Sequence, residues 1–373
     1  MSLAWRFVLA IGLVSLLADF TYEGGRGISG AFLGTLGATS LLVGAVSGVG
    51  EFLGYAVRLL SGQVGEGRRA WLLLYLGYSL NLLALPALAW VGSPYAASLL
   101  LFLERLGKGL RTPVRDALLA RVGKEVGLGR AFGVHELMDQ GGAFLGPLFV
   151  ALAVAQGGYR LGFAALLVPA LLALLLLWRV RGLEPEDPSR SVREPLPRTF
   201  FLYLAFALLF ALGFAHFQIL AFHLERLGAP PAGISLLFAL AMGTDALLAL
   251  LGGLAFERVG FKTLFLVPVL AALATPLVLM GRGPWAWALG CALWGGALGL
   301  QESVMRAGVG YLSQGSAWAY GLFDGAFGVA WLLGSLLMGY LYTLSPAHAA
   351  WAALALEALA LLSLVPLARR GVG

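Results

Sequence analysis

Charge is scarce in this chain. Acidic and basic residues make up 12% of its 373 positions, about half the roughly 25% of an ordinary soluble domain. Cysteine occurs once, at Cys291, which excludes a disulfide framework and a thiol–metal cluster; the residue reads as a small apolar side chain in a helix. No His-x-x-x-His spacing occurs, so neither a metal nor a cofactor is expected. No glycine loop ends in lysine and a hydroxyl residue, which argues against nucleotide-driven work. Asparagine occurs once, at Asn81, and lysine three times, at Lys108, Lys124 and Lys262. The depletion of labile amides is shared by thermophile proteins, and GC-rich coding gives a similar bias. The net charge of +6 is spread over loops, a pattern that does not read as nucleic-acid binding.

What fills the space is apolar. Hydrophobic residues make up 60% of the chain and mean hydropathy is +0.88, the composition of a polytopic membrane protein. Twelve apolar segments are long enough to span: 4–35, 38–63, 70–91, 95–121, 131–155, 159–180, 199–226, 230–256, 261–281, 284–312, 316–341 and 347–368. The first reads as a span rather than a removable signal, because no small-residue cleavage site precedes a soluble domain. Most connections are tight, as at Gly92-Ser93-Pro94, but residues 181–198 form a polar, proline-rich linker. The expected organisation is an all-α membrane protein of twelve helices: a six-helix bundle over 1–180, a cytoplasmic linker over 181–198, and a second bundle over 199–373. With the N-terminus in the cytoplasm, fifteen basic residues fall inside and three (Arg160, Arg226 and Arg282) outside. Both termini are therefore expected in the cytoplasm.

The two halves repeat each other. Gly62-x-x-x-Glu66 recurs 191 residues later as Gly253-x-x-x-Glu257, and Ala131-Phe132-Gly133 recurs 188 residues later as Ala319-Tyr320-Gly321. Parallel repeats of this kind suggest a transporter with its site between the halves. The loop from Gly253 to Lys262, containing Glu257-Arg258, resembles the cytoplasmic loop motif of the major facilitator superfamily. Its first-half copy, Gly62 to Arg69, lacks two residues after Glu66. Arg105-Leu106-Gly107-Lys108-Gly109 is similar to that family's fourth-span pattern, with Lys108 where glutamine is usual. Gly133, Gly142 and Gly146-Pro147 resemble the glycine-rich fifth-span motif of its antiporters, although Val150 and Ala151 replace the trailing glycines. The stretch from Arg105 to Ala120, with Asp19 and Glu23, looks most like a branch of bacterial drug-efflux-like permeases. The resemblance implies the major facilitator fold, a role for Arg105 in proton transfer, and latch roles for Glu66, Glu257 and Arg258.

Charge inside a span is costly, at roughly 2.5–3.5 kcal/mol per residue on insertion scales, and marks a pathway by default. Residues 104–116 carry six ionisable groups in thirteen positions. Helical spacing puts Asp19, Glu23 and Arg26 on one face, and Glu104, Lys108, Arg111 and Arg115 on another. Two layers are expected. At mid-depth, Asp19, Glu23 and Glu51 face Arg105 and Lys108, a proton-coupling set in which burial and nearby cations act oppositely on a carboxylate. Nearer the cytoplasm, Arg111 and Arg115 pair with Asp116, Glu136 or Asp139, a structural or gating set with Arg58, Gly142, Gly146 and Pro147. Candidates for substrate contact are Tyr22, Arg26, Tyr55, His216, Gln218, Gln301 and Glu302, with Glu302 and Arg306 placed for an intrahelical pair.

The leading expectation is proton-coupled export of small amphiphilic molecules by a monomer in the bacterial cytoplasmic membrane, its partners being substrate, protons and lipid. Symport or uniport uptake of a small, anionic metabolite stands as the alternative. An intramembrane enzyme lacks a nucleophile–base pair, and a sensor or scaffold lacks a sizeable soluble domain. Substrate, stoichiometry and resting conformation are not encoded in any of these motifs.

Overall fold

In the computed structural model, residues 2–64, 68–126, 128–181, 196–313 and 317–369 are described. Among them there is no strand. The helices are α1 (Leu3–Thr35), α2 (Ser40–Val64), α3 (Arg68–Ala87), α4 (Pro94–Val126), α5 (Leu128–Ala165), α6 (Leu167–Val180), α7 (Arg198–Gly213), α8 (Phe217–Arg226), α9 (Pro231–Val259), α10 (Leu266–Met280), α11 (Pro284–Leu300), α12 (Arg306–Ser313), α13 (Ala317–Leu344), α14 (Pro346–Ser363) and α15 (Val365–Arg369).

Nine stretches among the described residues are long and apolar enough to cross a membrane. One of them, Val134–Val180, runs 47 residues and breaks at Gly157 and Gly158, where Gly158 has φ +68°, a conformation open mainly to glycine. It therefore holds two crossings. Helix α4 is set apart by its charges, and α11 by its 17-residue length before a π-helical turn at Gln301–Met305. The fold is consistent with the twelve expected segments. Segment 199–226 departs from expectation by splitting: α7 ends at Gly213, and Phe214 to His216 leave the helical path before α8 begins.

The chain folds as two compact units. The first contains residues 1–37, 53–190 and 229–239; the second contains 38–52, 191–228 and 240–373. Segments 38–52 and 229–239 thus group with the unit built mainly from the other half of the sequence. Within the first unit, Ser235 Oγ donates to the Pro147 carbonyl at 2.7 Å. Within the second, Ser40 Oγ donates to the Gly339 carbonyl at 3.1 Å.

Small residues let the helices of the first unit approach backbone to backbone, the usual device where lipid removes the hydrophobic drive to associate. A Cβ on Gly142 would overlap the Leu16 carbonyl oxygen of α1, and one on Gly146 would overlap that of Phe20. Gly107 of α4 lies equally close to Gly77 and Asn81 of α3, and Gly109 lies against the Gly54 carbonyl of α2. Gly142 and Gly146, first noted for their resemblance to an antiporter motif, are therefore packing positions in the α1–α5 seam. The expected latch residue Glu66 lies outside the described residues, as does the side chain of Glu257; Arg258 is exposed at the end of α9.

The seam makes a sharp prediction. Gly146→Ala forces α1 and α5 apart and lowers the thermal midpoint in detergent, by about 1–3 kcal/mol of overpacking. Gly141→Ala, where an added Cβ has nothing within 4 Å, leaves it unchanged. Equal midpoints for the two variants would refute the close-packed seam.

Candidate functional site

Tyr22 is the hub of the charged region. Its ring lies on α1, 1% exposed, and three cations surround it. Lys108 Nζ lies 3.6 Å from the ring centroid, Arg105 Cζ 5.2 Å and Arg26 Cζ 5.9 Å. Arg105 Nη1 also donates to the Tyr22 hydroxyl. Each desolvated cation–π contact is worth up to about 2 kcal/mol, so the ring offsets part of the burial cost that acids would otherwise have to meet. The acids are close by. Arg26 Nη1 contacts Glu23 Oε1 at 3.3 Å, and Arg105 Nε contacts Glu104 Oε2 at 3.4 Å. Asn81 Nδ2 donates to Glu104 Oε1 at 2.7 Å, so the chain's single asparagine fixes the carboxylate that holds Arg105.

Further along α4, Arg111 is fully buried. Its Nη2 reaches Asp19 Oδ1 at 3.3 Å, and its Cζ lies 4.5 Å from the Tyr78 ring centroid. Its Nε and Nη1 have no hydrogen-bond partner among the described residues. Arg115, one turn on, is held by Asp116 Oδ1 at 2.8 Å, Asp139 Oδ2 at 3.5 Å and Ser15 Oγ at 3.3 Å. Ser15 Oγ in turn lies 2.8 Å from His135 Nε2. Glu136 is exposed and accepts from Gln140 Nε2 at 3.3 Å.

The expected pairings hold only in part, since Glu23 meets Arg26, Arg105 meets Glu104 and Glu136 meets Gln140. Arg115 meets Asp116 and Asp139 as anticipated, but Arg111 turns to Asp19, an acid assigned to the other layer. The cause is the α3–α4 contact: a Cβ on Gly77 would sit 2.8 Å from the Arg111 backbone nitrogen, so Arg111 is pressed against Tyr78. Asp19 then lies between Lys108, Arg111 and Arg115, all of which act on it electrostatically. Glu51 is buried on segment 38–52 and belongs to the second unit. Tyr55 and Arg58 form a separate pair on α2, with the guanidinium 5.1 Å from the ring centroid. Ser15, Tyr78 and Asn81 were not singled out from sequence. Asn81 alone carried a signal there, as the one asparagine of the chain, set in an apolar helix.

In the second unit the polar candidates are spread over several elements. His216 precedes α8 at its N-cap and stacks on Trp331 at 4.6 Å between centroids; Gln218 is buried two residues on. The indoles of Trp294 and Trp331 donate to the Ala215 and Phe214 carbonyls exposed by the α7–α8 break, at 2.7 and 3.3 Å. Gln301 is buried and Glu302 exposed in the π-helical turn, and Arg306 reaches Asp324 at 3.9 Å. Ligand-type atoms of His135, Glu136 and Asp139 lie within 4.8 Å of one another. Ser15 and Arg115 already engage His135 and Asp139, and a guanidinium beside the carboxylate disfavours a second cation.

A sequence profile of the Major Facilitator Superfamily matches residues 9–300. An uncharacterized protein of Mycobacterium tuberculosis is 39% identical over 376 residues, covering 96% of this chain and 92% of the relative. An uncharacterized MFS-type transporter of Methanocaldococcus jannaschii is 26% identical, covering 91% of this chain and 89% of its own. Among solved structures, the peptide transporter POT in complex with sulfate superposes with a TM-score of 0.77 at 18% identity, covering 98% of this chain and 94% of that one. The nucleoside transporter NupG gives 0.73 at 15% identity over the full length of both chains. At these identities the structural likeness speaks for the fold.

Removing the Arg111 guanidinium takes away the cation in contact with Asp19 at 3.3 Å. Arg111→Ala is expected to destabilise the protein by roughly 3 kcal/mol, the low end for breaking a buried pair, read as a lower thermal midpoint in detergent. Arg111→Ala with Asp19→Asn should recover part of the loss; no recovery in the double variant would sever the pairing.

Proposed function

The chain belongs to the Major Facilitator Superfamily and is a membrane secondary transporter of that type; on that premise we propose that it is a proton-coupled antiporter exporting small amphiphilic molecules. The observation that carries this reading is the position of Asp19, a largely buried carboxylate with Arg111 at 3.3 Å and Lys108 acting on it from the same helix. A carboxylate so placed is balanced between two opposing effects: burial disfavours its charge and nearby cations favour it. A change in either cation's distance shifts that balance, which is the requirement for loading a proton on one side and releasing it on the other. Asp19 is the proposed proton carrier, with Glu23, Arg105 and Lys108 tuning it. Arg111, Arg115, Asp116 and Asp139 hold the adjoining end.

The α5 glycine spacing, similar to that of family antiporters, supports export. The excess of basic residues in the loops expected inside supports a multi-pass protein of the bacterial cytoplasmic membrane with both termini in the cytoplasm. The halves 1–180 and 199–373, joined by 181–198, are the proposed moving bodies of an alternating-access cycle. One observation favours a second reading, uptake of an organic anion with protons: the three cations around the Tyr22 ring present the charge that would attract a carboxylate or phosphate.

Proteoliposomes with an internal pH dye separate the readings. Under exchange, addition of a lipophilic cation such as ethidium to one side drives protons toward it, and Asp19→Asn abolishes the flux in protein that still expresses and reconstitutes, with a thermal midpoint lowered because Arg111 loses its acid. Accumulation of an organic anion together with protons would replace export by uptake. Undiminished proton flux in Asp19→Asn would move the carrier to another residue.

A further inference from the structure

Glu357 was passed over in the sequence because it stands alone in an alanine- and leucine-rich run. In the fold it is 0% exposed near the middle of α14, and neither carboxyl oxygen has a hydrogen-bond partner among the described residues. It sits against the end of α7: a Cβ on Gly213 would lie 2.9 Å from Glu357 Oε1 and 3.2 Å from Cδ.

That neighbour is a helix C-terminus inside the span. After Gly213 the backbone leaves the helical path, with Phe214 at φ −77° and ψ 103°. The last carbonyls of α7 thereby lose helical N–H groups to receive, and the end carries partial negative charge. Two indoles serve the next carbonyls, at Phe214 and Ala215. A carboxylate, a helix end of partial negative charge and apolar surroundings are together unfavourable, and one cation relieves this.

Among the described residues, the neighbouring elements supply no such cation. Helix α10 has no titratable side chain. On α7, Arg198 is exposed and the Tyr203 hydroxyl donates to the Met305 carbonyl at 2.6 Å. On α13, Asp324 meets Arg306, Tyr340 is exposed, and the Tyr342 hydroxyl bonds His223 Nδ1 at 2.7 Å; the side chain of Tyr320 lies outside the described residues, as does that of Arg369 on α15. On α14 itself, His348 bonds Ser345 at the exposed end.

We infer that Glu357 and the broken end of α7 form a site for one small monovalent cation, a proton or a sodium ion. Carbonyls of interrupted helices coordinate such ions in membrane transporters, and the carboxylate supplies the charge. The site is built within the second unit alone, so it stands whether or not Asp19 carries the coupling proton.

The test uses full-length protein in detergent. Thermal midpoints are measured for wild type and Glu357→Gln between about pH 5 and pH 9 in choline chloride, and in sodium chloride at the alkaline end. A bound ion raises the wild-type midpoint by on the order of 2–4 °C, an increment missing in Glu357→Gln. Loss of a sodium increment assigns sodium; loss of an acid increment assigns the proton. Equal increments in both proteins overturn the site. Should the variant fail to fold, wild type is treated with dicyclohexylcarbodiimide, which attacks protonated carboxyls in apolar surroundings, and the Glu357 peptide is weighed by mass spectrometry. Labelling that falls with added sodium or with rising pH sustains the site; labelling absent, or indifferent to both, overturns it.

Discussion

Arg111 has no exposed surface, and much of the first unit is arranged around that fact. A guanidinium held away from water needs an acid, and Asp19 supplies it from α1 at 3.3 Å. It needs polarizable surface as well, and the Tyr78 ring supplies that from α3. Three helices are thereby pinned to one another at a fixed depth. Their registers cannot slide without stranding a charge, and stranding one costs far more than any single apolar contact returns. The same logic, one turn away, places three cations around Tyr22 and ties Glu104 to Asn81.

Charge alone could not have made this arrangement. The donors and acceptors meet only because the helix backbones come unusually close, and glycine makes them close. Gly77 and Gly107 let α3 and α4 approach until Arg111 lies on Tyr78. Gly142 and Gly146 do the same for α1 and α5, which brings His135 beside Ser15 of α1. A single added methyl in either seam moves the whole electrostatic arrangement, so packing and coupling chemistry in this unit are one problem rather than two.

Much of this was legible in the sequence, and the parts that were not share a cause. The span limits follow from hydropathy, and the charged faces of α1 and α4 follow from helical spacing, because both are properties of one segment. Pairing is a property of two. Which acid meets Arg111 depends on the register between α1 and α4, and no local pattern encodes it, so Asp19 was placed with Lys108 and Glu136 was offered to the arginines. The break at Phe214 to His216 was illegible for a related reason. Only Gly213 marks it, and the break is stabilised by Trp294 and Trp331, which lie about 80 and 115 residues away in the chain.

The two units handle buried charge in opposite ways. In the first, the described charges around Tyr22 and Arg111 each have a counter-charge or a ring, and they lie close together. In the second, Glu357 lies fully buried against a helix end of its own sign. A dense cluster changes its balance when helices shift by small distances, because several short interactions respond together. An isolated acid has no such partners to lose; its occupancy is set by access to water and by the conformation of the adjacent break. The first arrangement suits a group whose protonation must follow the transport cycle. The second suits an ion that stays through it and keeps the broken helix in one shape, with the stacked His216 and Trp331 beside that break as the side chains that would register its loss.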